Sequence, residues 1–288
     1  MQSSNLDKIY HDTLSAARLT PKPGILEPGR IEDLVVAYTP RSEPAARILY
    51  TGILHSGGRA ILAPLSEAAT SIVPYKEPGG LLVLHDDPRS LRLVTLSEAA
   101  GLLGVETVVV GRRLHPAVEE RLEASGAEIV EVEAPAPILA LAAIALYWAP
   151  KLMGAREARY REELEHLETA LEWVEERLPH ARTPPTGDSI TIASYTPLAK
   201  PGAVYHHVLE GGPPPVPLES LPDLRLPRTF KTSTIVYTTG VEEFNYKDIL
   251  VRLGLRGPKP LLIRIDTDPI TAGFYSMLAA GLLAGKLA

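Results

Sequence analysis

The stretch His85-Asp86-Asp87-Pro88-Arg89-Ser90 places an imidazole, two carboxylates, a guanidinium and a hydroxyl side by side. Arg89 and Ser90, at the start of a helical stretch, suit the capture of an anion, because a helix N-terminus offers free amides and a positive dipole end. His85, Asp86 and Asp87 are also metal-ligating types, but consecutive residues point in different directions, so no metal is expected there. Asp87-Pro88 reads equally as a helix cap followed by the first helical residue. A second candidate is Arg41-Ser42 in "VVAYTPRSEPAARI". Ser42 could hold an anion, or Ser42 or Glu43 could cap a helix opened by Pro44. The third is Glu210, with His206 and His207 one turn earlier. Read from its neighbours alone, a glutamate just before Gly211-Gly212 is an ordinary helix end, and a histidine on a helix is more often surface or core.

These groups need a scaffold, and the sequence describes one. Between residues 33 and 133 five short apolar runs alternate with helical stretches: "DLVVAY" (33–38), "AILAPL" (60–65), "GLLVLH" (80–85), "VETVVV" (105–110) and "AEIVEVE" (127–133). Helices are expected near 44–55, 90–103 and 115–125. Continuous apolar strands separated by helices predict a parallel sheet covered on both faces, a doubly wound α/β unit of flavodoxin type. "APILALAAIALYWAP" (136–150) follows; bounded by prolines and too short to span a bilayer, it reads as a buried helix. Residues 155–178 are charged, with Leu164, Leu167, Leu171, Val174 and Leu178 forming one apolar seam on a connecting helix. Residues 179–189 read as a linker.

A shorter second half then repeats the pattern with strands "SITIASY" (189–195), "TSTIVYT" (232–238) and "PLLIRID" (260–266) and a final helix from Pro269. It carries "TIASYTPLAKPGAV", built like the segment around Tyr38: an apolar run, Tyr-Thr-Pro, then a second proline that suits the first helical position. Prolines 40 and 197 remove amide donors from these corners, so side chains must supply part of any anion site. The repetition implies duplication of a half and a ligand crevice facing both copies. The expected organisation is a first unit over 1–154 that includes an N-terminal helix, a connector over 155–188, and a second unit over 189–288. The proline-rich stretch 210–230 is too long for a plain connection and is expected to be functional or to wrap across the other half.

Composition narrows the function. The chain has 288 residues, 45% hydrophobic and 22% charged, with a formal charge of −6, so a nucleic-acid or anionic-membrane partner is not expected. There is no cysteine, which removes thiolate chemistry and disulfides and fits a cytoplasmic protein. The N-terminal residues are polar and amphipathic, unlike a signal peptide. Twenty-seven prolines and three methionines suggest heat adaptation.

The paired corners resemble those of the sugar isomerase (SIS) family, in which two doubly wound units bind phosphosugars. The family's first corner, Gly-x-Gly-Thr-Ser, aligns with "YTPRS", with Ser42 at its serine and Tyr38 and Pro40 at its glycines; its Ser-Glu pair is Ser66-Glu67. The family's phosphate loop, Ser-x-Ser-Gly-x-Thr with Ala-x-x-x-Gly ending the next helix, aligns without a gap onto "HDDPRS" and "AGLLG" (100–104). Ser90 stands at the threonine, His85 and Asp87 at the serines, and Pro88 at the glycine. The phosphoglucose/phosphomannose isomerase branch, known from archaeal bifunctional enzymes, is similar in its catalytic glutamate followed by Leu-Pro-Glu-Leu. Here these are Glu210 and "LPDL" (221–224), and the ring-opening histidine is replaced by Leu226. The family's late catalytic lysine has only Lys286 near it.

The resemblance implies a phosphosugar ligand held by Arg41, Ser42, Glu67, His85, Asp87, Arg89 and Ser90, with Glu210 as base and His206 or His207 as substitute acid. It also implies no cofactor and a homodimer. Two activities follow: a divergent aldose-ketose isomerase, or a catalytically silent phosphosugar sensor.

Overall fold

The computed structural model describes residues 2–27, 33–76, 78–149, 155–178, 189–223, 231–256 and 260–288. The chain divides into two compact units, residues 8–165 and residues 166–288 with residues 1–7.

The first unit contains most of α1 (Gln2–Leu19), then β1 (Leu34–Tyr38), α2 (Glu43–His55) and β2 (Ala60–Pro64). The short helices α3 (Leu65–Glu67) and α4 (Val73–Lys76), joined by a π turn, lead to β3 (Gly80–His85) and α5 (Leu91–Leu102). There follow β4 (Thr107–Gly111), α6 (Pro116–Ala124), β5 (Glu128–Glu131), α7 (Pro137–Trp148) and α8 (Ala155–Glu165). The strands form one all-parallel sheet in the order β2-β1-β3-β4-β5, the doubly wound flavodoxin arrangement expected from the sequence. β3 and β4 are buried throughout, as strands covered on both faces must be, which is why they read as unbroken apolar runs.

The run at 136–150 is the buried helix α7. Ten of its twelve residues are apolar and inaccessible, and it packs on α2. The close approach depends on Gly52, where an added Cβ would sit 3.0 Å from the Ala149 Cβ. Tyr160 of α8 closes the end of α7 by donating its hydroxyl to the Leu146 carbonyl at 2.6 Å. No described helix is long and apolar enough to cross a membrane.

The second unit runs through α9 (Ala170–Arg177), β6 (Ser189–Tyr195), α10 (Lys200–Glu210), β7 (Val216–Pro217), β8 (Lys231–Thr239), α11 (Gly240–Arg256), β9 (Leu261–Ile265) and α12 (Ala272–Ala284). Its parallel sheet has the order β7-β6-β8-β9, the first sheet's order without the last strand. β7 comes from within the proline-rich stretch, where no strand was expected. The 3₁₀ turn after it sends Leu218 and Leu221 into the core against Ile192 and Val236. The seam after residue 155 is not one helix either: a 3₁₀ turn, His166–Thr169, separates α8 from α9. Leu167, Leu171 and Val174 of that seam are buried, and Trp173 meets Tyr275 of α12 edge to face at 5.2 Å. The linker at 179–188 lies outside the described residues.

α10 and α12 are the most closely packed helices of this unit, and Gly202 makes this possible. Its amide donates to Ser276 Oγ at 2.9 Å, and a Cβ there would lie 2.6 Å from both the Ser276 Cβ and its carbonyl oxygen. Gly202→Ala gains helix propensity of up to ~1 kcal/mol but overpacks this contact, with a net loss expected at about 2 kcal/mol. Urea unfolding of the variant against the parent chain measures this, and an unchanged midpoint would contradict the packing.

Candidate active site at the first sheet corner

β1 leads on to β2 on one side and β3 to β4 on the other, so the segments that leave the paired carboxyl ends of β1 and β3 diverge and leave a crevice. A cavity of about 790 Å³ lies there, lined by Tyr38, Thr39 and Arg41 after β1, Ser66 after β2, and Asp86 to Arg92 after β3. Arg112, just beyond β4, completes it.

The β1 corner is shaped by hydroxyls. Thr39 caps a 3₁₀ turn, Pro40–Ser42, and exchanges capping bonds with Ser42. The Thr39 amide donates to the Leu84 carbonyl at 3.1 Å, tying the corner to β3. Thr39 Oγ1 donates to Asp86 Oδ1 at 2.6 Å and accepts the Asp86 amide at 3.2 Å. The second oxygen of Asp86 meets Arg41 Nη1 at 3.3 Å. The buried Asp86 carboxylate is therefore both hydrogen-bonded and ion-paired, as burial requires.

Ser42 does not line the cavity. Its hydroxyl is fully buried and donates to the Leu84 carbonyl at 2.6 Å, so it fastens two strand ends together, and it does not cap α2. Glu67 is exposed at the end of α3 and is also outside the lining, where its neighbour Ser66 stands instead.

His85 is inaccessible. It packs over Gly111, where a Cβ would come within 2.5 Å of the imidazole Cδ2 and 2.6 Å of its Nε2. Neither ring nitrogen makes a hydrogen bond of normal geometry. Burial pulls its pKa down to about 4, and Arg112 adds to this, while Asp86, Asp87 and an Asp87 backbone group pull the other way. The imidazole is neutral at pH 7 and points away from a ligand role. His85, Asp86 and Asp87 do not converge, and among the described residues no three His, Asp or Glu side chains do.

The loop after β3 faces the cavity. Asp87 Oδ1 accepts the Arg89 amide at 3.0 Å, so it closes a turn, while the cap position of α5 falls to Ser90. Ser90 is nine-tenths buried, yet its hydroxyl bonds to no described residue. The first turn of α5 carries no acid. Arg89, Arg92 and Arg112 are exposed at the rim and none is ion-paired with a described residue. Four guanidinium groups thus meet two carboxylates, one of them already paired with Arg41; the balance favours an anion at the α5 N-terminus.

The second unit holds the other expected group. Glu210 ends α10, exposed, and pairs with Lys286 Nζ at 3.0 Å. His206 is buried and its Nδ1 shares a hydrogen with the Tyr237 hydroxyl at 3.0 Å; burial lowers its pKa and raises that of Tyr237. His207 is half-buried, with Nδ1 lacking a hydrogen-bond partner. Leu226 lies outside the described residues, as does Leu224 of "LPDL".

Sequence reasoning missed Thr39, Asp86 in its paired role and Arg112, and of the Ser66-Glu67 pair it took Glu67 rather than Ser66 as the site residue. Thr39 had a visible signal, since the threonine of Tyr-Thr-Pro occurs in both copies. Arg112 had none, because only the fold brings it to the cavity.

Stability should fall as pH drops from about 6.5 to about 4, because the unfolded chain protonates His85 while the folded chain does not. The contribution of this residue is up to about 3 kcal/mol over that window. His85→Met should flatten that part of the pH profile of urea unfolding and leave the smaller contribution of His206 in the same direction. Parallel profiles for both proteins would refute the assignment.

The sequence matches no protein-family model and no curated protein. Solved structures do match the fold. Glucosamine-6-phosphate deaminase from Thermotoga maritima aligns over 98% of this chain and 91% of its own at 13% identity, with a TM-score of 0.59. Tagatose-6-phosphate ketose/aldose isomerase from Escherichia coli aligns over 96% of this chain and 86% of its own, at 11% identity and a TM-score of 0.58. The C-terminal domain of glucosamine-fructose-6-phosphate aminotransferase from Francisella tularensis covers 98% and 94%, at 11% identity and 0.52. The chain therefore has the α/β fold of proteins that act on sugar phosphates.

Proposed function

We propose that the chain binds a phosphorylated sugar in the first-unit cavity, with the phosphate at the N-terminus of α5. The observation that carries this reading is Ser90, nine-tenths buried with a hydroxyl that bonds to no described residue, among Arg89, Arg92 and Arg112. Guanidinium groups bind phosphate oxygens in pairs, and the cavity has room for a hexose phosphate beside them. The structural neighbours named for sugar-phosphate reactions support the same ligand class.

A second reading adds turnover, aldose-ketose isomerisation of the phosphoglucose/phosphomannose type. It is favoured by the exposed Glu210, which stands with Lys286 at the end of α10 near His206 and His207. A carboxylate base would move a proton between C1 and C2 through an enediol. The proposal includes a homodimer, which light scattering of the purified chain checks.

Glucose 6-phosphate or fructose 6-phosphate should raise Tm by about 5 °C at a hundredfold excess over Kd, and free glucose should not. Arg89→Ala and Ser90→Ala should each weaken binding about tenfold. Absence of any shift with sugar phosphates would end the binding reading. For turnover, deuterium from D₂O should enter C2 of the sugar phosphate, and Glu210→Gln should slow this at least about a hundredfold. Binding without exchange in the parent chain would leave a sensor.

A further inference from the structure

The two Tyr-Thr-Pro corners have the same backbone. Thr39 and Thr196 each donate their amide to the adjacent central strand, at Leu84 and Tyr237, and each accepts the amide three residues on, from Ser42 and Ala199. Their side chains differ in what they hold. Thr39 holds Asp86, which has Arg41 as a counter-ion and leaves the cavity open beyond it. Thr196 Oγ1 instead donates to Glu242 Oε2. Thr239 Oγ1 donates to the same oxygen at 2.9 Å, and the Leu198 amide donates to Oε1 at 2.9 Å.

Glu242 is buried, and no described lysine or arginine pairs with it. Among the described residues, hydroxyls and a backbone amide alone satisfy its charge, from a side chain in the first turn of α11. The Thr239 hydroxyl also accepts the Glu242 amide at 3.3 Å, so part of this arrangement is a helix cap. A cap does not require the carboxylate to cross to the neighbouring corner and take the Leu198 amide and the Thr196 hydroxyl. Those donors, on the turn that opens α10, form an oxyanion cradle.

We propose that Glu242 is an internal ligand: its carboxylate fills the oxyanion site of the second corner, and the native chain takes an external anion at the first corner alone. The part concerning Glu242 stands independently of the phosphosugar reading; only the count of one ligand per chain rests on it. The site vacated by truncating Glu242 would accept a small carboxylate or a phosphate.

The experiment is chemical rescue followed by Tm. Glu242→Ala should lower Tm by about 5 °C or more, and acetate at tens of millimolar should restore much of the loss while chloride at equal ionic strength does not. Any acetate response of the parent chain should be smaller and should vanish in Arg89→Ala/Arg92→Ala. The same rescue in Glu242→Ala/Arg89→Ala/Arg92→Ala places the acetate away from the first-unit cavity, so a failed phosphosugar reading leaves this result intact. Titration of the single variant with inorganic phosphate should give two sites per chain against one in the parent. An acetate response equal to that of chloride, or rescue lost in the triple variant, would overturn the proposal. If Glu242→Ala does not fold, refolding from urea with acetate or chloride decides the question: acetate-dependent recovery supports it, and equal yields refute it. Glu243→Ala, which removes a half-buried partner of Arg264 on the same turn, should show no acetate rescue.

Discussion

A hydroxyl-to-carboxylate hydrogen bond across adjacent strand ends organises both halves of this protein. At the carboxyl edge of a parallel sheet the chain must turn from strand to helix, leaving amides and carbonyls without ladder partners. Thr39 and Thr196 resolve this in the same way, by giving the amide to the neighbouring strand and the hydroxyl to a buried acid. The acid is thereby solvated by the protein. In the first unit the anchored acid also holds Arg41 at the cavity, so one interaction shapes the corner and positions a cation.

The helices behind these corners obey a matching constraint. Each helix that follows a corner packs closely on a helix that is apolar on all sides, α2 on α7 and α10 on α12. A glycine at each contact, Gly52 and Gly202, allows the approach. A helix apolar all round has no solvent face, so it must lie beneath others, and small residues decide how near they come. Beside the first corner, the buried His85 over Gly111 adds a neutral polar group with no hydrogen bond of normal geometry. The bulk of the imidazole fills the core below the loop, and the cavity is lined by the residues that follow it, Asp86 to Arg92.

Much of the scaffold was legible because parallel strands buried on both faces write themselves as apolar runs; Leu81 to Leu84 could be little else. β7 was not legible, since two residues ending in proline carry no period and are made a strand only by Tyr195 and Ser194 alongside. The break at His166–Thr169 was hidden because the leucine seam continues through a 3₁₀ turn with nearly the same spacing. Within the candidate site, Arg89 and Ser90 were readable as residues of a helix start, whereas Arg112 was not. Ser42 was chosen by its type and aligned position, but nothing local tells whether a hydroxyl faces a cavity or a carbonyl; Leu84 lies 42 residues away. Glu242 had no motif at all, since its partner Thr196 is 46 residues distant and the two meet only when β6 and β8 pair.

The prolines of the first corner bear on how an anion can be recognised there. A glycine-rich loop lets several amides approach a phosphate closely, and Pro40 and Pro88 each remove one such donor and widen the approach. The exposed guanidinium groups of Arg89, Arg92 and Arg112 reach further than an amide and keep their charge at any relevant pH. Recognition by long cations at a rim depends more on charge than on shape, and it weakens more with salt than a buried amide cradle does. Asp87 would limit this permissiveness: its carboxylate, fixed by the Arg89 amide, would repel an anion placed too near the turn and direct it toward Ser90 and the start of α5. On the proposed reading the first corner would select where an anion sits by side-chain charge, while the second holds an acid through hydroxyls and an amide with no described cation in contact.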